Sequence, residues 1–457
     1  MQEKTFFIKT FGCQMNIRDT EIMAQTLSEG GYIESGSIDD ASLVILNTCS
    51  IRAKAEQKVF SLLGSLRKNK ALNPDLQICV AGCVAQQEGR KIRERMPHVD
   101  LIIGTQHIYN LPQLISHSSI NRTAINLADD YEIPRFVPTL TKLQQKPEHH
   151  SPPLESEFQF SRFVTIMQGC NNFCTYCVVP YTRGREVSRN VADILDEIKV
   201  LVSSGVSEVT LLGQNVNSYG ISNSVTENQT PYSFSMLLHD VARIDGLRRL
   251  RFTTSNPKDL SDELIDCFAE IDILCPQFHL PVQSGSDAIL KRMNRKYSIK
   301  EYLQKVAGLR EVCPQIAITT DIIVGFPGET EEDFEGTMNL LETVQYNGSF
   351  SFKYSDRPGT KAQLLDLKVP EQVKSDRLQR FQKRQDEISL EKNRSYVGDT
   401  LMILVEKVTG KNMVGRTDTN HIVHITLTEK NDINPGDYVP VVISFAGQHS
   451  LKADLVS

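Results

Sequence analysis

The chain has 457 residues, so we expect roughly three domains of about 150 residues each. Its formal net charge of −6 excludes a protein that coats nucleic acid through bulk positive charge, although a local basic patch is compatible with it. No segment has the ~18 apolar residues of a membrane helix, and the amino terminus lacks the pattern of a signal peptide. We therefore expect a cytoplasmic protein with no membrane partner. Its ten cysteines are too sparse for a disulfide scaffold.

The amino-terminal part of the chain alternates apolar strands with helical segments. Strands are predicted at TFFIKTFG, ASLVILNT, LQICVAG and VDLIIG. Helices are predicted between and after them, including one that starts near Asp19 and one that starts near Gln87. Continuous runs of Val, Ile and Leu favour a parallel sheet that is covered by helices on both faces. We predict an α/β domain over residues 1–120 and a polar, proline-rich linker over 121–160.

From Arg162 the alternation of strands and helices resumes. Six apolar strands are predicted, at FVTIM, EVTLLG, LRRLRFTT, FHLPV, IAITTDIIVG and GSFSFKYS. Strand–helix units of this kind favour a curved parallel sheet, a partial (βα)6 barrel, over residues 161–368. A long connecting helix is predicted over 369–394. Short strands separated by Gly, Asn and Asp then predict a small antiparallel β-barrel over 395–457.

Three cysteines, Cys170, Cys174 and Cys177, stand within GCNNFCTYC, directly after the first strand of the predicted barrel. Ligands bind at the carboxyl ends of strands in parallel α/β sheets, so these cysteines fall where a cofactor would bind. A zinc knuckle is the alternative interpretation, but structural zinc sites use four ligands and no partner pair stands nearby. We favour a four-iron cluster, because three thiolates leave one iron free for another ligand.

A second set of cysteines, Cys13, Cys49 and Cys83, is dispersed along the chain, but each residue follows a predicted strand. Three parallel strands that end at one edge of a sheet would bring the three thiolates together there. The alternative is that they are small buried core residues, as free cysteines often are. We interpret Cys79, which lies within its strand, in that second way.

The spacing C-x3-C-x2-C at the end of a first barrel strand resembles the radical S-adenosylmethionine (SAM) enzymes, over about residues 160–360. The resemblance implies a [4Fe–4S] cluster on Cys170, Cys174 and Cys177, with SAM bound at the open iron and cleaved to a 5′-deoxyadenosyl radical. Further contacts with SAM are then expected beside the last cysteine and at the later strand ends. The expected contacts are Tyr176, Gly213, Gln214, Asn215, Ser255, Gln283, Ser284, Asp321 and Gly325.

The motifs TFGCQMNIRDTE, NTCSIRAKAE and AGCVAQ resemble the amino-terminal domain of the methylthiotransferases. Those enzymes carry a second [4Fe–4S] cluster on three cysteines, which implies an auxiliary cluster on Cys13, Cys49 and Cys83. Residues 395–457 resemble the TRAM RNA-binding module. GCQMN and CNNFCTYCVVPYTRGREVSR resemble one branch, the tRNA-2-methylthio-dimethylallyladenosine synthases, whereas relatives that modify a ribosomal protein tend to read GCPKN at the first site.

This resemblance implies a reaction that adds a methylthio group to C2 of N(6)-dimethylallyladenosine, beside the anticodon of tRNA. One SAM would donate the methyl group, and a second would supply the radical that removes the C2 hydrogen. An electron donor such as flavodoxin or ferredoxin is expected, and we expect a monomer. The alternative substrates are tRNA with threonylcarbamoyladenosine or a ribosomal protein. A zinc-stabilised RNA-binding protein without catalysis is the alternative from another class.

Contact with RNA requires positive charge on one face. Arg183 and Arg185 lie in YTRGR after the last cysteine, and Arg292 and Arg295 lie in LKRMNRKY, so we expect these four to contact the substrate or its RNA. Residues 368–394 add eight Lys and Arg against five Asp and Glu. Residues 400–457 hold only five Lys and Arg against six Asp and Glu. The carboxyl-terminal barrel must therefore bind RNA through a local cluster of positive charge or through stacking on the bases.

Overall fold

The computed structural model describes residues 3–50, 53–116, 122–139, 160–221, 232–427 and 432–456. Residues 140–159, which make up half of the predicted linker, lie outside these ranges. None of the helices within the ranges combines the length and the hydropathy that a membrane span requires.

The amino-terminal domain is built on one parallel sheet. Its strands are β1 (Thr5–Thr10), β2 (Ile33–Glu34), β3 (Leu43–Thr48), β4 (Gln77–Gly82), β5 (Leu101–Ile103) and β6 (Arg122–Ala124). Its helices are α1 (Gln14–Glu29), α2 (Ala53–Leu72), α3 (Cys83–Arg95) and α4 (Leu111–Ser116). The strands lie in the order β2-β1-β3-β4-β5-β6. The sixth strand falls inside the segment that we assigned to a linker, so this sheet extends past residue 120.

The sheet is buried on both faces, as its apolar strands predict. Every residue of β3 is buried, because α1 and α4 cover one face while α2 and α3 cover the other. Successive residues such as Ile45 and Leu46 point into different cores, which is the normal alternation along a strand. Cys79 is fully buried in the core under α1, as its position within β4 indicates.

Two helices of this domain begin earlier than we predicted. α1 begins at Gln14 and α3 at Cys83, so strand passes to helix with almost no loop. Gly82 makes one of these turns with φ +91°, and a Cβ there would lie 2.5 Å from the side-chain oxygen of Asn47. Cys13 and Cys83 therefore stand at helix amino termini, where free backbone N–H groups favour negative charge.

The central domain contains six parallel strands and a short hairpin. The six strands are β7 (Ser161–Thr165), β10 (Glu208–Leu212), β11 (Arg249–Thr253), β12 (Gln277–His279), β13 (Ala317–Val324) and β14 (Gly348–Lys353), and the hairpin is β8 (Met167–Gln168) with β9 (Val187–Ser188). They pair as β11-β10-β7 and β12-β13-β14, and a bridge between Leu250 and Leu274 joins the two halves. The array therefore runs β7-β10-β11-β12-β13-β14, in agreement with the predicted partial barrel.

Helices cover the convex face of this array. They are α6 (Val191–Ser203), α7 (Phe234–Ala242), α8 (Asp262–Glu270), α9 (Asp287–Arg292), α10 (Ile299–Val312) and α11 (Glu331–Val344). The short helix α5 (Val179–Thr182) precedes them and contacts α3 of the amino-terminal domain. Val164, Leu211 and Ile318 point outwards into one large core with these helices. The residues that alternate with them face inwards and form the concave face, which is polar at the amino ends of the strands. There Glu208 accepts a hydrogen bond from Arg251 Nε at 3.0 Å.

The carboxyl-terminal part is a helix followed by a closed five-stranded barrel. The helix is α12 (Glu371–Arg394), and the strands are β15 (Thr400–Thr409), β16 (Asn412–Thr417), β17 (Ile422–Thr426), β18 (Tyr438–Ala446) and β19 (Leu451–Leu455). The closed order is β15-β16-β17-β19-β18. The sequence predicts antiparallel pairing all round the barrel, but the β17–β19 pair is parallel. An odd number of strands cannot alternate in direction all round a closed ring, so one parallel pair is required.

This small barrel packs against the amino ends of the central strands. Arg249 donates to the backbone oxygens of Met402 and Arg416, at 2.8 Å each. Arg251 donates to the backbone oxygens of Thr417 and Asp418, at 2.7 Å each. The predicted cysteine site lies at the other, carboxyl ends of these strands, so the two features occupy opposite ends of the central domain.

The small barrel should lose stability in mild acid because of His421. Burial lowers the pKa of His421 to about 4 from the ordinary 6.5. The unfolded chain therefore takes up a proton first, and stability that is complete above pH 6.5 is lost as the pH falls through 4. We expect a loss of up to about 3 kcal/mol. Hydrogen exchange of β16 and β17 in the full chain measures it. His421→Asn should remove this pH dependence, whereas substitution of the exposed His424 should retain it.

Candidate active site

The barrel triple, Cys170, Cys174 and Cys177, lies in the loop between β8 and α5 at the carboxyl end of the central barrel. All three residues are free thiols, and they influence one another electrostatically. Arg295 Nη1 lies 3.4 Å from Sγ of Cys174 and donates to it. Burial raises the pKa of Cys177 to about 12 and also raises that of Cys170, whereas a metal deprotonates a coordinating thiol outright. The loop therefore supplies donors of the kind that hold an iron–sulfur cluster.

Three predicted SAM contacts share an unusual feature at the ends of β10 and β11. Gln214 Nε2, Asn215 Oδ1 and Ser255 Oγ are buried and have no hydrogen-bond partner among the described residues. Buried polar atoms in folded proteins are nearly always paired, so unpaired atoms point to a missing ligand. Gln214 also accepts from the backbone N–H of Gly169 at 2.6 Å, which ties this strand end to the loop of the barrel triple. These atoms fit a polar ligand such as SAM.

The other predicted SAM contacts have partners within the protein. Gly213 leaves room for Met167, since a Cβ there would lie 2.4 Å from Met167 Cγ. Ser284 Oγ accepts from the backbone N–H of Ser286, and Gln283 adopts φ +75° where it bridges to β13.

Two of the remaining three predicted contacts lie near the barrel triple or on the concave face, and one does not. The ring centroids of Tyr176 and Phe326 are 6.4 Å apart. On the concave face, Asp321 Oδ1 lies 3.5 Å from His279 Nε2. Gly325, at φ +69°, faces Lys374 of α12 instead, because a Cβ there would lie 2.1 Å from the Cγ of that lysine.

The sheet triple, Cys13, Cys49 and Cys83, lies at the carboxyl edge of the amino-terminal sheet, where its three strands end together. A Cβ on Gly12 would lie 2.9 Å from Sγ of Cys49, so that thiol is beside the turn into α1. The hydrogen bond with Cys49 lowers the pKa of Cys13 to about 6; burial opposes this shift and the charge of Arg183 supports it. Burial raises the pKa of Cys83, and the Arg183 charge opposes that shift.

The two triples differ from a single-ion site. Among the described residues, no three His, Cys, Asp or Glu side chains are arranged to hold a single metal ion. A four-iron cluster makes a different demand, because each thiolate binds a different iron and the ligands stand further apart.

Two of the four arginines that we assigned to the substrate or its RNA make their contacts within the protein; Arg183 is buried and Arg295 is half-buried. Arg183 Nη2 pairs with Asp19 Oδ2 at 2.7 Å, and both side chains are about 5% exposed or less. Arg295 donates to Cys174 and to the backbone oxygen of Pro281. We therefore do not carry an RNA contact forward for either residue. The sequence could not show this, because the partner of Arg183 lies 164 positions away.

The other two arginines differ in exposure. Arg292 Nε donates to the backbone oxygen of Pro327 at 2.9 Å and is half-buried. Arg185 is exposed, and its guanidinium lies 5.8 Å from the ring centroid of Phe173 in the loop of the barrel triple. Arg185 is thus the member of the four that is best placed to meet a phosphate.

Removing Arg183 should destabilise the junction between the two α/β domains. Arg183→Met leaves Asp19 buried without its partner, and breaking a buried pair costs about 3–5 kcal/mol. Denaturant unfolding measures the loss, and the double variant with Asp19→Asn should recover part of it. Arg135→Met is the matched control at the same junction. Arg135 is exposed in its pairs with Asp193 and Asp196, so the change should be within about 1 kcal/mol.

The concave face brings the two triples towards one space. Phe163 of β7 and Leu212 of β10 face inwards, and they pack against Met15 of α1 with Cys13 beside them. The junction is reinforced by Arg18 of α1, which pairs with the buried Glu197 of α6. The sheet triple therefore borders the concave face whose carboxyl end carries the barrel triple.

Glu186 is a candidate site residue that the sequence did not reveal. Burial raises its pKa to about 7, and it accepts a hydrogen bond from Ser218 Oγ at 2.7 Å. Its charge also acts on Cys170, and its backbone N–H donates to Asn171 Oδ1. Glu186 stands near Asn215, whose Oδ1 has no partner among the described residues and whose Nδ2 donates to the same serine. Its position in the motif RGREVSR was the only signal in the sequence.

The comparisons with known proteins agree with this arrangement. Family models match residues 5–104 (Uncharacterized protein family UPF0004), 164–341 (Radical SAM superfamily) and 394–456 (TRAM domain). A tRNA-2-methylthio-N(6)-dimethylallyladenosine synthase from Desulfotalea psychrophila is 61% identical over 459 residues and covers 100% of both chains. The chain belongs to the tRNA-2-methylthio-N(6)-dimethylallyladenosine synthase family. A synthase of the same name from Geotalea uraniireducens is 46% identical over 99% of each chain.

Membership of this synthase family confirms the resemblance read from the cysteine motifs. As a radical SAM protein, the chain uses a [4Fe–4S] cluster and SAM. Among solved structures, the radical SAM methyltransferase TsrM from Kitasatospora setae matches with a TM-score of 0.57 at 15% identity, covering 79% of this chain and 77% of its own. The cobalamin-dependent SAM radical enzyme OxsB matches with a TM-score of 0.53 at 12% identity, and the match covers 85% of this chain and 62% of the OxsB chain. At these identities the likeness shows a shared fold only.

Proposed function

We propose that the chain adds a methylthio group to C2 of N(6)-dimethylallyladenosine in tRNA, with a [4Fe–4S] cluster on each triple. The observation that supports this most is the position of Cys13. It packs beside Phe163 and Leu212 on the concave face whose carboxyl end carries the barrel triple. A base held in that space would lie between the two sets of thiols.

Each group of residues then has a role in binding or orientation. When bound, the two clusters and SAM supply the radical, sulfur and methyl chemistry. The barrel triple would hold one cluster, and the donated hydrogen bond from Arg295 would offset negative charge on Cys174. Gln214, Asn215 and Ser255 would orient SAM through their unpaired buried atoms. The sheet triple would hold the second cluster, close to the positive charge of Arg183.

The tRNA would be held at two places. Arg185 is exposed beside the barrel triple and would bind a phosphate near the modified base. The carboxyl-terminal barrel lies at the opposite end of the central domain, so it would grip a part of the tRNA away from that base. The base itself would be taken out of the stack, as enzymes that act on a base require. We also propose a small electron-transfer protein, a flavodoxin or ferredoxin, as donor, and a monomer as the active form.

Nucleoside mass spectrometry of tRNA tests the proposal. The full chain, expressed in cells that contain dimethylallyladenosine but lack their own synthase, should convert it to the 2-methylthio derivative. Anaerobically reconstituted protein should carry about eight irons, as two four-iron clusters require. Methylthiolated threonylcarbamoyladenosine in place of this product would assign the chain to a different tRNA substrate. Colourless, zinc-loaded protein would contradict the two-cluster assignment.

A further inference from the structure

Two phenylalanines on the concave face have large exposed fractions. Phe350 and Phe352, on β14, are 59% and 50% exposed. They pair in register with Asp321 and Ile323 of β13, so the four side chains share one face. Large apolar side chains that stand open on an inner face are expected where a ligand binds.

The surroundings of the two rings match a purine that carries an alkyl chain. The rings of Phe350 and His279 meet edge to face, with their centroids 6.0 Å apart, and Asp321 lies next to that histidine. Phe352 stands two residues further along β14, about 7 Å towards the barrel triple. Two aromatic platforms in line could receive a purine ring and the alkyl group on its N6. Polar atoms beside the first ring could meet the polar edge of the base.

We propose that Phe350 and Phe352 form the wall that receives the adenine ring and its dimethylallyl group. The inference rests on the proposed function. The other outer strand of the curved array is β7, where Phe163 faces inwards and packs with Leu212 of β10, and Cys13 is beside them. A base stacked on β14 would therefore have its reacting edge between the two triples. The dimethylallyl group has no hydrogen-bonding atoms, so an apolar surface is what distinguishes the modified base from plain adenosine.

The test compares two anticodon stem–loop RNAs, one with dimethylallyladenosine and one with adenosine at the same position. Their dissociation constants for the reconstituted full chain are measured without turnover, and their methylthiolation rates with SAM. The wild type should prefer the modified RNA. The variant with Phe350→Ala and Phe352→Ala should lose about tenfold or more of that preference, because the dimethylallyl group loses the apolar surface against which it is buried. Met236→Ala, an exposed apolar residue on α7, is the matched control and should keep the preference.

The outcomes separate this inference from the proposed function. A wild-type preference that is unchanged in the alanine pair would overturn the aromatic wall and leave the proposed function standing. A wild type that neither prefers nor methylthiolates the modified RNA would overturn the proposed function itself. If the alanine pair does not fold, the single variants Phe350→Ala and Phe352→Ala carry the test. A partial loss of preference supports the wall, and a wild-type ratio in both variants overturns it.

Discussion

Replacing Cys174 by alanine should abolish formation of 5′-deoxyadenosine from SAM. Cys174 is the middle residue of the barrel triple, it interacts electrostatically with both other cysteines, and it alone receives the hydrogen bond from Arg295. With two thiolates left, the loop cannot hold a four-iron cluster through three ligands. Because cleavage of SAM depends on that cluster, both the deoxyadenosine and the methylthio product should fall to background.

The measurement combines iron content with chromatography of the nucleoside product under reducing, anaerobic conditions. The Cys174→Ala protein should carry about four irons instead of about eight, because the sheet triple is intact. Cys313→Ala is a matched control, since this thiol is buried at the end of α10 and belongs to neither triple. Deoxyadenosine formation at the wild-type rate in Cys174→Ala would show that the cluster lies elsewhere.

The positions of both triples could be predicted because a strand leads directly to each site. A run of apolar residues identifies the strand, and parallel strands end at one edge, so cysteines that follow strands come together without any further information. Cys49 illustrates this, because it follows β3, whose six residues are all buried. The start of α1 was placed too late for a related reason. The turn at Gly12 is so short that Cys13 occupies the position directly before the helix. A cysteine there does not provide the polar capping residue by which a helix start is usually recognised in a sequence.

The roles of the arginines could not be predicted, because they depend on contacts between distant parts of the chain. YTRGR has the composition of an exposed basic loop, yet Arg183 is buried against Asp19 of the other α/β domain, while Arg185, two positions later, is exposed. The open face of β14 was hidden for a similar reason. GSFSFK identifies a strand with alternating residues, but only its pairing with β13 shows that the phenylalanines are on the concave side.

Replacing Cys13 by alanine should separate the two halves of the reaction. The barrel triple and the unpaired polar atoms near it lie in the central domain, so SAM should still be cleaved to 5′-deoxyadenosine. The sheet triple loses the thiol that lies nearest the concave face, and that thiol is the one whose pKa is lowered to about 6. A site that depends on three thiolates would lose its cluster, so the methylthio product should be absent and about four irons should remain.

Cys79→Ala is the control that makes this result specific, because Cys79 belongs to the same sheet but points into the core under α1. It should cost some stability through the lost packing and leave both products in place. Methylthiolated tRNA from the Cys13→Ala protein would contradict the assignment of a second cluster to the sheet triple. Loss of deoxyadenosine as well would mean that the two sites are coupled through the α1 junction, where Arg18 and Arg183 join the domains. Arg183→Met, which keeps all six thiols, would then show the same loss, whereas two independent sites predict that it retains cleavage of SAM.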